Sequence, residues 1–465
     1  MSIPTYATIG HPNEGKSSVI SALTENETIQ ISPTPGQTTS CASYKLTLDQ
    51  EAVLELIDTP GFQNPSSILS WMDDWEGEES DLIQGFLSEF ASDPDFHHDR
   101  ELLSPLHGKT GILYVVDASR PLREVDRQEM EILRRTGLPR LALLNFKTDQ
   151  RAYLPDWKEA LSRRFNLIRE FDAHEGSFAT RLNLMDALAE LTPEHKDHLQ
   201  TIKSSLERDW DQRIQEASLV VETLWLRTLR HRYQTTLDAA RPEEPQFEEA
   251  KESYREDIRG FERKARKEFC RIFQHSSLPQ GIGKDSIFTQ ELFADKVWKV
   301  LGLSRGQLAT AGAVTAGAMG AGLDVAAGGI TFGVFTAAGL LAGGIGSWIG
   351  TPKLGAKKYP FPGGGPLGKE QIVVGPFADP QLLFVLLDRS LLYLQQLMKW
   401  SHARRDVEPF LKGLEERTSL SKTWSDQERK TLLKWIKTHK DPGHSTSQET
   451  SKAFRALILA KLRKL

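Results

Sequence analysis

From residue 1 to about 175 the chain alternates short apolar runs with longer amphipathic stretches. Thr5–Ile9, Tyr44–Leu48, Ala52–Ile57, Gly111–Val116, Leu141–Asn145 and Asn166–Phe171 read as strands. Segments near 17–24, 121–136, 156–164 and 178–190 read as helices. Strands alternating with helices predict an α/β fold with a mostly parallel sheet. Tyr44–Leu48 and Ala52–Ile57, with Asp49 and Gln50 between them, predict an antiparallel hairpin at one edge.

From about 192 to 277 the pattern becomes helical, with Leu219, Val220, Leu224, Leu226 and Leu229 among charged positions. Arg241-Pro-Glu-Glu-Pro245 divides this stretch into two long helices, expected to form an antiparallel pair or bundle. Residues 306–350 hold a single charge, Asp324, flanked by uncharged runs of 18 and 26 residues. Residues 351–369 are rich in Pro, Gly and Lys and read as a loop, and 380–404 as a strongly apolar helix. Lys452–Leu465 reads as a basic amphipathic helix. The expected organisation is an α/β domain over 1–178, a helical domain over 179–305, a Gly-rich apolar hairpin over 306–350, and a basic helical part over 351–465.

Composition narrows the functional classes. Two cysteines, Cys41 and Cys270, exclude a disulfide framework or a Cys-rich zinc site and suit a reducing cytosol. The first ten residues lack a basic segment leading into an apolar one, so no signal peptide is expected. A net charge of −5 gives no support for a whole-chain nucleic-acid binder. Residues 351–465 nevertheless carry 21 Lys/Arg against 11 Asp/Glu.

The chemistry is concentrated near the N-terminus. Gly10-His-Pro-Asn-Glu-Gly15-Lys16-Ser17 matches the Gly-x4-Gly-Lys-Ser/Thr phosphate loop and lies between a predicted strand and a predicted helix. Its glycines let main-chain N–H groups wrap a phosphate, and the helix N-terminus adds a favourable dipole. Gly10, Asn13, Glu14, Gly15, Lys16, Ser17 and Ser18 are the expected phosphate-side residues. Lys16 is placed to reach β- and γ-phosphate oxygens, and Ser17 to offer its hydroxyl to Mg2+. Asp58-Thr59-Pro60-Gly61 ends an apolar strand. Asp58 is the expected acidic partner of the metal, and the Gly61 N–H the γ-phosphate sensor. Pro35-Gly-Gln-Thr38-Thr39 lies between the two motifs and supplies hydroxyls for the metal shell. A P-loop NTPase of the Ras-like G-domain type, followed by a mainly α-helical region, is the fold these parts imply.

On residues 10–18, 35–39 and 58–61 the chain resembles the Era/TrmE-like branch of small bacterial GTPases, over about residues 3–175. The resemblance implies GTP and GDP as ligands, GTP hydrolysis, and Mg2+ held by Ser17, Asp58 and Thr38, with Thr39 as the alternative. It also implies a potassium ion bound by Asn13, the other reading being that Asn13 only shapes the loop. The family's Asn-Lys-x-Asp base motif is altered. Here Leu144-Asn145-Phe146-Lys147-Thr148-Asp149 keeps Asn145 but sets Asp149 one residue late. Either the loop bulges and Asp149 reads guanine, or guanine selectivity is weakened. Asp172-Ala173-His174 departs from the family's Ser-Ala-Lys/Leu loop. Phe62 stands where Ras-type enzymes keep a water-orienting glutamine, and a phenyl ring cannot do that work.

The order of segments is also similar to a bacterial family in which a GTPase is fused to a domain of unknown function. The apolar stretch is long enough to span a bilayer, and its glycines would allow close helix packing. It is expected either to meet the membrane or to be buried in protein. Lys353, Lys357 and Lys358 behind it suit the cytoplasmic face. The final helix either packs on its own domain or lies on anionic lipid. The leading expectation is a cytoplasmic GTPase switch acting at the inner membrane. The alternatives are a ribosome-associated assembly GTPase and a nucleotide-binding scaffold with negligible turnover. Expected partners are GTP and GDP, membrane lipid or an inner-membrane protein, and a second copy in a nucleotide-dependent dimer. Nucleic acid is not expected.

Overall fold

The computed structural model describes residues 3–11, 14–24, 40–48, 51–106, 108, 110–148, 150–171, 178–275, 292–293, 295–303, 307, 356–360, 370–377, 379–399, 419–440 and 448–465. The expectations for Asn13, Thr38, Thr39, Asp149 and Asp172–His174 lie outside these residues. So does the apolar stretch 306–350, Gln307 apart. The chain divides into two compact units, with the main division between Asp211 and Gln212 and Met398–Lys399 counted with the first.

The first unit is built on a six-stranded sheet in the order β2-β3-β1-β4-β5-β6. The strands are β1 (Thr5–Ile9), β2 (Ala42–Leu48), β3 (Glu51–Asp58), β4 (Gly111–Asp117), β5 (Arg140–Asn145) and β6 (Leu167–Glu170). All neighbours are parallel except β2 and β3, which form the expected antiparallel edge hairpin. Central β4 is buried at every position, as a parallel strand covered on both faces must be. Edge strand β2 leaves most of its positions partly or fully exposed.

Helices α1 (Lys16–Thr24), α5 (Glu124–Arg135), α6 (Leu154–Ser162) and α7 (Phe178–Leu191) match the four expected ones. Three more were not legible in the sequence: α2 (Pro65–Asp73), α3 (Leu82–Glu89) and α4 (His97–Leu103), all between β3 and β4. Two apolar clusters hold the layers together. One joins Phe62, Ile68, Phe86, Leu102 and Leu103 to Tyr114, Met130 and Trp157. The other joins Val19, Leu56 and Leu113 to Leu184, Leu188, Leu199 and Leu206. The second cluster draws α7 and the first turns of α8 (Lys196–Arg230) onto the sheet. The compact unit therefore runs past the expected boundary at 178.

The second unit contains the rest of α8, α9 (Glu243–Ile272), α10 (Asp295–Val300), α11 (Gln381–Lys399), α12 (Asp426–His439) and α13 (Gln448–Leu462). Pro242 precedes α9 at the N-cap position, and Glu243 and Glu244 occupy its first turn, where negative charge suits the helix dipole. Ser425 and Glu428 form a reciprocal capping box on α12. Helix α11 is apolar almost all round and accordingly buried. Trp225, Trp435 and Phe454 meet with ring centroids 4.9–5.8 Å apart.

One expectation is corrected in this unit, and one open alternative is decided. Residues 351–369 are not all loop, because β8 (Ala356–Pro360) pairs with β9 (Glu370–Val374), which also pairs with β7 (Tyr233–Thr236). Both pairings are antiparallel, and β9 lies in the middle. The final helix does not offer its apolar face to lipid, since Phe454, Ile458 and Leu462 are buried. Lys452, Arg455, Arg463 and Lys464 remain at the surface.

Candidate nucleotide-binding site

The site residues gather at the carboxyl ends of β1, β3, β4 and β5, where open α/β sheets place their ligands. Chain direction at the end of β1 requires glycine. Gly10 has φ +150°, and a Cβ there would lie 2.2 Å from the Val115 carbonyl oxygen. Gly15 has φ +103°, and a Cβ would lie 2.4 Å from Asn145 Nδ2. These two positions fix the loop against β4 and β5.

Lys16 begins α1 and is buried. Its Nζ donates to the carbonyl oxygens of Gly10 at 3.0 Å and His11 at 3.2 Å. Burial holds this ammonium below the ordinary lysine value, while Asp58, Glu129 and Glu14 oppose the shift. Ser17 Oγ donates to Asp58 Oδ2 at 2.7 Å. Asp58 is buried at the tip of β3, with Thr8 Oγ1 at 3.5 Å from its other oxygen. Thr59 donates to the Thr8 carbonyl at 2.7 Å and so fixes the turn into Pro60 and Gly61. Ser18 is buried in the first turn of α1.

Two expectations need refining. The side chain of Glu14 points away from the loop's inner face. Arg120 donates to its Oε1 from Nε at 3.0 Å and Nη2 at 2.7 Å, and the Asp117 N–H donates to Oε2. Glu14 thus offers a phosphate only its main chain. Phe146, in the position of the family's lysine, is buried in the apolar cluster, with the Arg151 guanidinium 3.4 Å from its ring centroid. Asn145 keeps a loop-binding position, its Nδ2 donating to the Glu14 carbonyl at 3.1 Å.

Around the loop lies a buried polar layer that motif reading missed. Arg120 bridges Glu14 and Asp126, its Nη1 donating to Asp126 Oδ2 at 2.7 Å. Burial opposes ionisation of Asp126, but the hydrogen bonds from Arg120 and Arg123 hold its carboxyl below the ordinary range. His11 Nδ1 lies 3.1 Å from Glu129 Oε1, and Tyr114 donates to Glu129 Oε2 at 2.8 Å. Burial raises the Glu129 carboxyl above its ordinary value, against those two hydrogen bonds. The only sequence signal for this layer is that Asp126 and Glu129 lie one turn apart on α5.

The donor set at Ser17 and Asp58 fits Mg2+. Both are hard oxygen donors, and this ion is usually held by one or two carboxylates plus phosphates.

Residues 5–146 match the family model described as 50S ribosome-binding GTPase. Over 136 residues the chain is 31% identical to the probable GTP-binding protein EngB of Xylella fastidiosa (strain Temecula1 / ATCC 700964), covering 29% of this chain and 55% of that protein. Over 156 residues it is 33% identical to the EngB of Thiobacillus denitrificans (strain ATCC 25259 / T1), covering 33% and 62%. The chain therefore spans little more than half the length of these curated relatives. Among solved structures, Era in complex with MgGDPNP and nucleotides 1506–1542 of 16S ribosomal RNA gives a TM-score of 0.30 at 19% identity, covering 41% of this chain and 57% of that one. NFeoB from S. thermophilus bound to GDP.AlF4- and K+ gives a TM-score of 0.23 at 16% identity, covering 59% and 92%. Both structural likenesses are slight. Residues 158–464 match the domain of unknown function DUF3482. That match takes in well over half of the chain, so the protein belongs to the DUF3482 family and carries a P-loop GTPase domain at its N-terminal end.

Proposed function

We propose that the N-terminal unit binds and hydrolyses GTP and that the chain works as a nucleotide-dependent switch. The observation that carries this reading is the 2.7 Å hydrogen bond from Ser17 to Asp58. It brings two separate motifs to one point beside a loop shaped for phosphate. Main-chain N–H groups of residues 10–18 would hold the β-phosphate, and Lys16 would exchange its Gly10 and His11 carbonyls for phosphate oxygens. Mg2+, when bound at Ser17 and Asp58, would supply positive charge toward the phosphates. Gly61 N–H would meet the γ-phosphate. Phe62 is buried in the apolar cluster and does not orient water. Catalysis then rests on positioning and charge neutralisation.

Three finer readings remain expectations of the resemblance: Thr38 as a metal ligand, Asn13 as a potassium ligand, and Asp149 as the reader of guanine. Binding of GTP, ATP and XTP to the full chain, with hydrolysis measured in potassium and in sodium, tests them together. Equal affinity for ATP and GTP would remove the guanine assignment, and equal rates in the two salts would reduce Asn13 to loop shaping.

Action at the cytoplasmic face of a membrane is supported by the composition of 306–350 alone. Among the described residues no helix is long and apolar enough to cross a membrane. Carbonate extraction of the intact protein tests the reading. Release without detergent as a monodisperse species would make the stretch a buried element.

Ribosome association is the second reading, favoured by the description of the family matched over 5–146. Charge opposes it. Residues 65–106, which follow the Asp58–Gly61 motif, hold eleven Asp/Glu against one Lys/Arg and would repel a phosphate backbone. Co-sedimentation with ribosomes in either nucleotide state would reverse this preference.

A further inference from the structure

The excursion between β3 and β4 ends in the short helix α4, which touches the chain beside both nucleotide-sensing stretches. Asp99 on α4 is fully buried. Its Oδ1 accepts from the main-chain N–H of Gln63 at 2.9 Å and of Asn64 at 3.4 Å. Its Oδ2 accepts from Asn64 Nδ2 at 3.1 Å. Gln63 and Asn64 are the second and third residues after Gly61. Two residues along α4, Glu101 Oε2 accepts from the Cys41 N–H at 3.2 Å, and its main-chain oxygen accepts from the Cys41 thiol at 2.9 Å. Cys41 lies two residues after Thr39 and leads into β2. Between these contacts, Leu102 and Leu103 of the same helix share an apolar cluster with Phe62.

Each contact is of a kind that holds main chain in place. A buried carboxylate accepting two successive N–H groups sets the direction of the peptides it grips. The Phe62 ring, buried to 1% exposure, anchors the residue between Gly61 and Gln63. The phenyl ring directly after Gly61 cannot orient water, and the position of the main chain on either side of it is inherited from these anchors. A displacement of about 1 Å at a reacting centre can cost on the order of a hundredfold in rate.

We propose that Asp99 and Glu101 are positioning residues for nucleotide hydrolysis. Through them α4 holds the chain after Gly61 and the chain after Thr39 in one register, so that neither moves without the other. The proposal rests on the hydrolysis reading above. It makes the α2–α4 excursion part of the switch.

The test uses the full chain. Affinity for a fluorescent GDP analogue and the single-turnover rate of GTP hydrolysis are measured for the parent, Asp99→Ala, Asp99→Asn and Glu101→Ala. Asp99→Ala should slow the single turnover by about tenfold to a hundredfold while GDP affinity stays within about threefold. Asp99→Asn, which keeps one acceptor for Gln63, should recover part of the rate. Glu101→Ala should also slow turnover at nearly unchanged affinity. An unchanged rate in Asp99→Ala, or equal losses of rate and affinity, overturns the proposal. If Asp99→Ala does not fold, Asn64→Ala decides instead. It removes the side-chain donor that Asp99 shares with the Asp95 carbonyl, at a position where Asn64 makes no side-chain cap to α2. It should slow turnover by about threefold or more, and a parental rate would sink the idea. A parent that binds GDP without turning GTP over removes the hydrolysis reading itself. That result is distinct from an active parent with an indifferent Asp99.

Discussion

Asn145 Nδ2, at the end of β5, donates to the main-chain oxygen of Glu14 inside the phosphate loop at 3.1 Å. The contact requires glycine at the next loop residue, since a Cβ at Gly15 would fall 2.4 Å from that same nitrogen. The strand expected to read the base and the loop expected to hold phosphate are therefore one assembly. Asn145→Ala leaves a buried carbonyl without its donor, at a cost of about 1–3 kcal/mol. Roughly a ten- to hundredfold loss of GDP affinity is expected, measured by displacement of a fluorescent analogue. Gly15→Ala should lose more, because it adds backbone strain at φ +103° to the collision. Parental affinity in both variants would detach Asn145 from the site.

The contact between Ser17 and Asp58 predicts a metal dependence that can be separated from loop chemistry. Ser17→Ala removes a hydroxyl that donates to Asp58 and leaves Lys16 untouched. GDP affinity should fall by about tenfold in Mg2+ and change little in EDTA. Lys16→Ala should abolish tight binding in both. The same loss for Ser17→Ala with and without Mg2+ would mean that the hydroxyl serves the loop and not the metal.

The legibility of the molecule follows from where its information is local. The six strands of the first unit were readable because β1, β4 and β5 are buried on both faces and spell continuous apolar runs. Gly10, Gly15, Lys16, Ser17, Asp58 and Asn145 were readable because strand and helix ends hold them close together. The helices α2–α4 were missed because their segment is crowded with Asp and Glu, and its apolar positions face a cluster completed by Tyr114, Met130 and Trp157 farther along the chain. Arg120 and Glu129 were missed for a similar reason. Each is ordinary in sequence; its importance arises when the turn after β4 brings Arg120 against Glu14 and α5 brings Glu129 against His11. Strand β8 was hidden in a Pro/Gly/Lys-rich stretch because its partner β9 supplies the pairing.

In the second unit, Arg389 Nε donates to Glu262 Oε1 at 2.6 Å, and both side chains are buried. Burial pushes the Glu262 carboxyl upward, but Arg266 and Arg389 more than offset this and hold it at about 2. Folding therefore favours the ionised form. The stabilisation is present above the unfolded glutamate value of about 4.3 and fades as pH falls toward 2. Arg389→Ala leaves a buried carboxylate short of a partner and should destabilise this unit by about 3–5 kcal/mol at pH 7. Urea unfolding should show the loss at pH 7 and a smaller one near pH 3. A loss equal at both values would point to packing and not to charge.

Asp388, one residue earlier on α11, makes the opposite kind of buried site. Among the described residues it has no basic hydrogen-bond partner, and burial raises its carboxyl above the ordinary aspartate value. Ionisation thus becomes harder on folding, and the stability linked to this group declines as pH rises through its folded value. A reader of that sign alone would expect Asp388→Asn, a neutral mimic, to stabilise the fold. The geometry predicts the reverse. Oδ1 accepts from the Ser421 N–H at 2.7 Å, and Oδ2 from the Gly302 N–H at 2.7 Å. An asparagine amide must set its NH2 against one of these main-chain donors in either orientation, leaving a buried N–H unsatisfied. The protonated acid escapes this conflict, because its single proton can turn toward Ser419 Oγ or Ser421 Oγ while both oxygens still accept. Ser419 can in turn donate to the Gly302 carbonyl at 3.1 Å. Asp388→Asn should therefore lower the stability of this unit by about 1–3 kcal/mol, read as a lower urea midpoint at unchanged slope. Because the cost is one of donor against donor, it should persist at pH 4, where the parent carboxyl is increasingly protonated. A variant as stable as the parent at both pH values would mean that the loops carrying Gly302 and Ser421 are free to move away from α11.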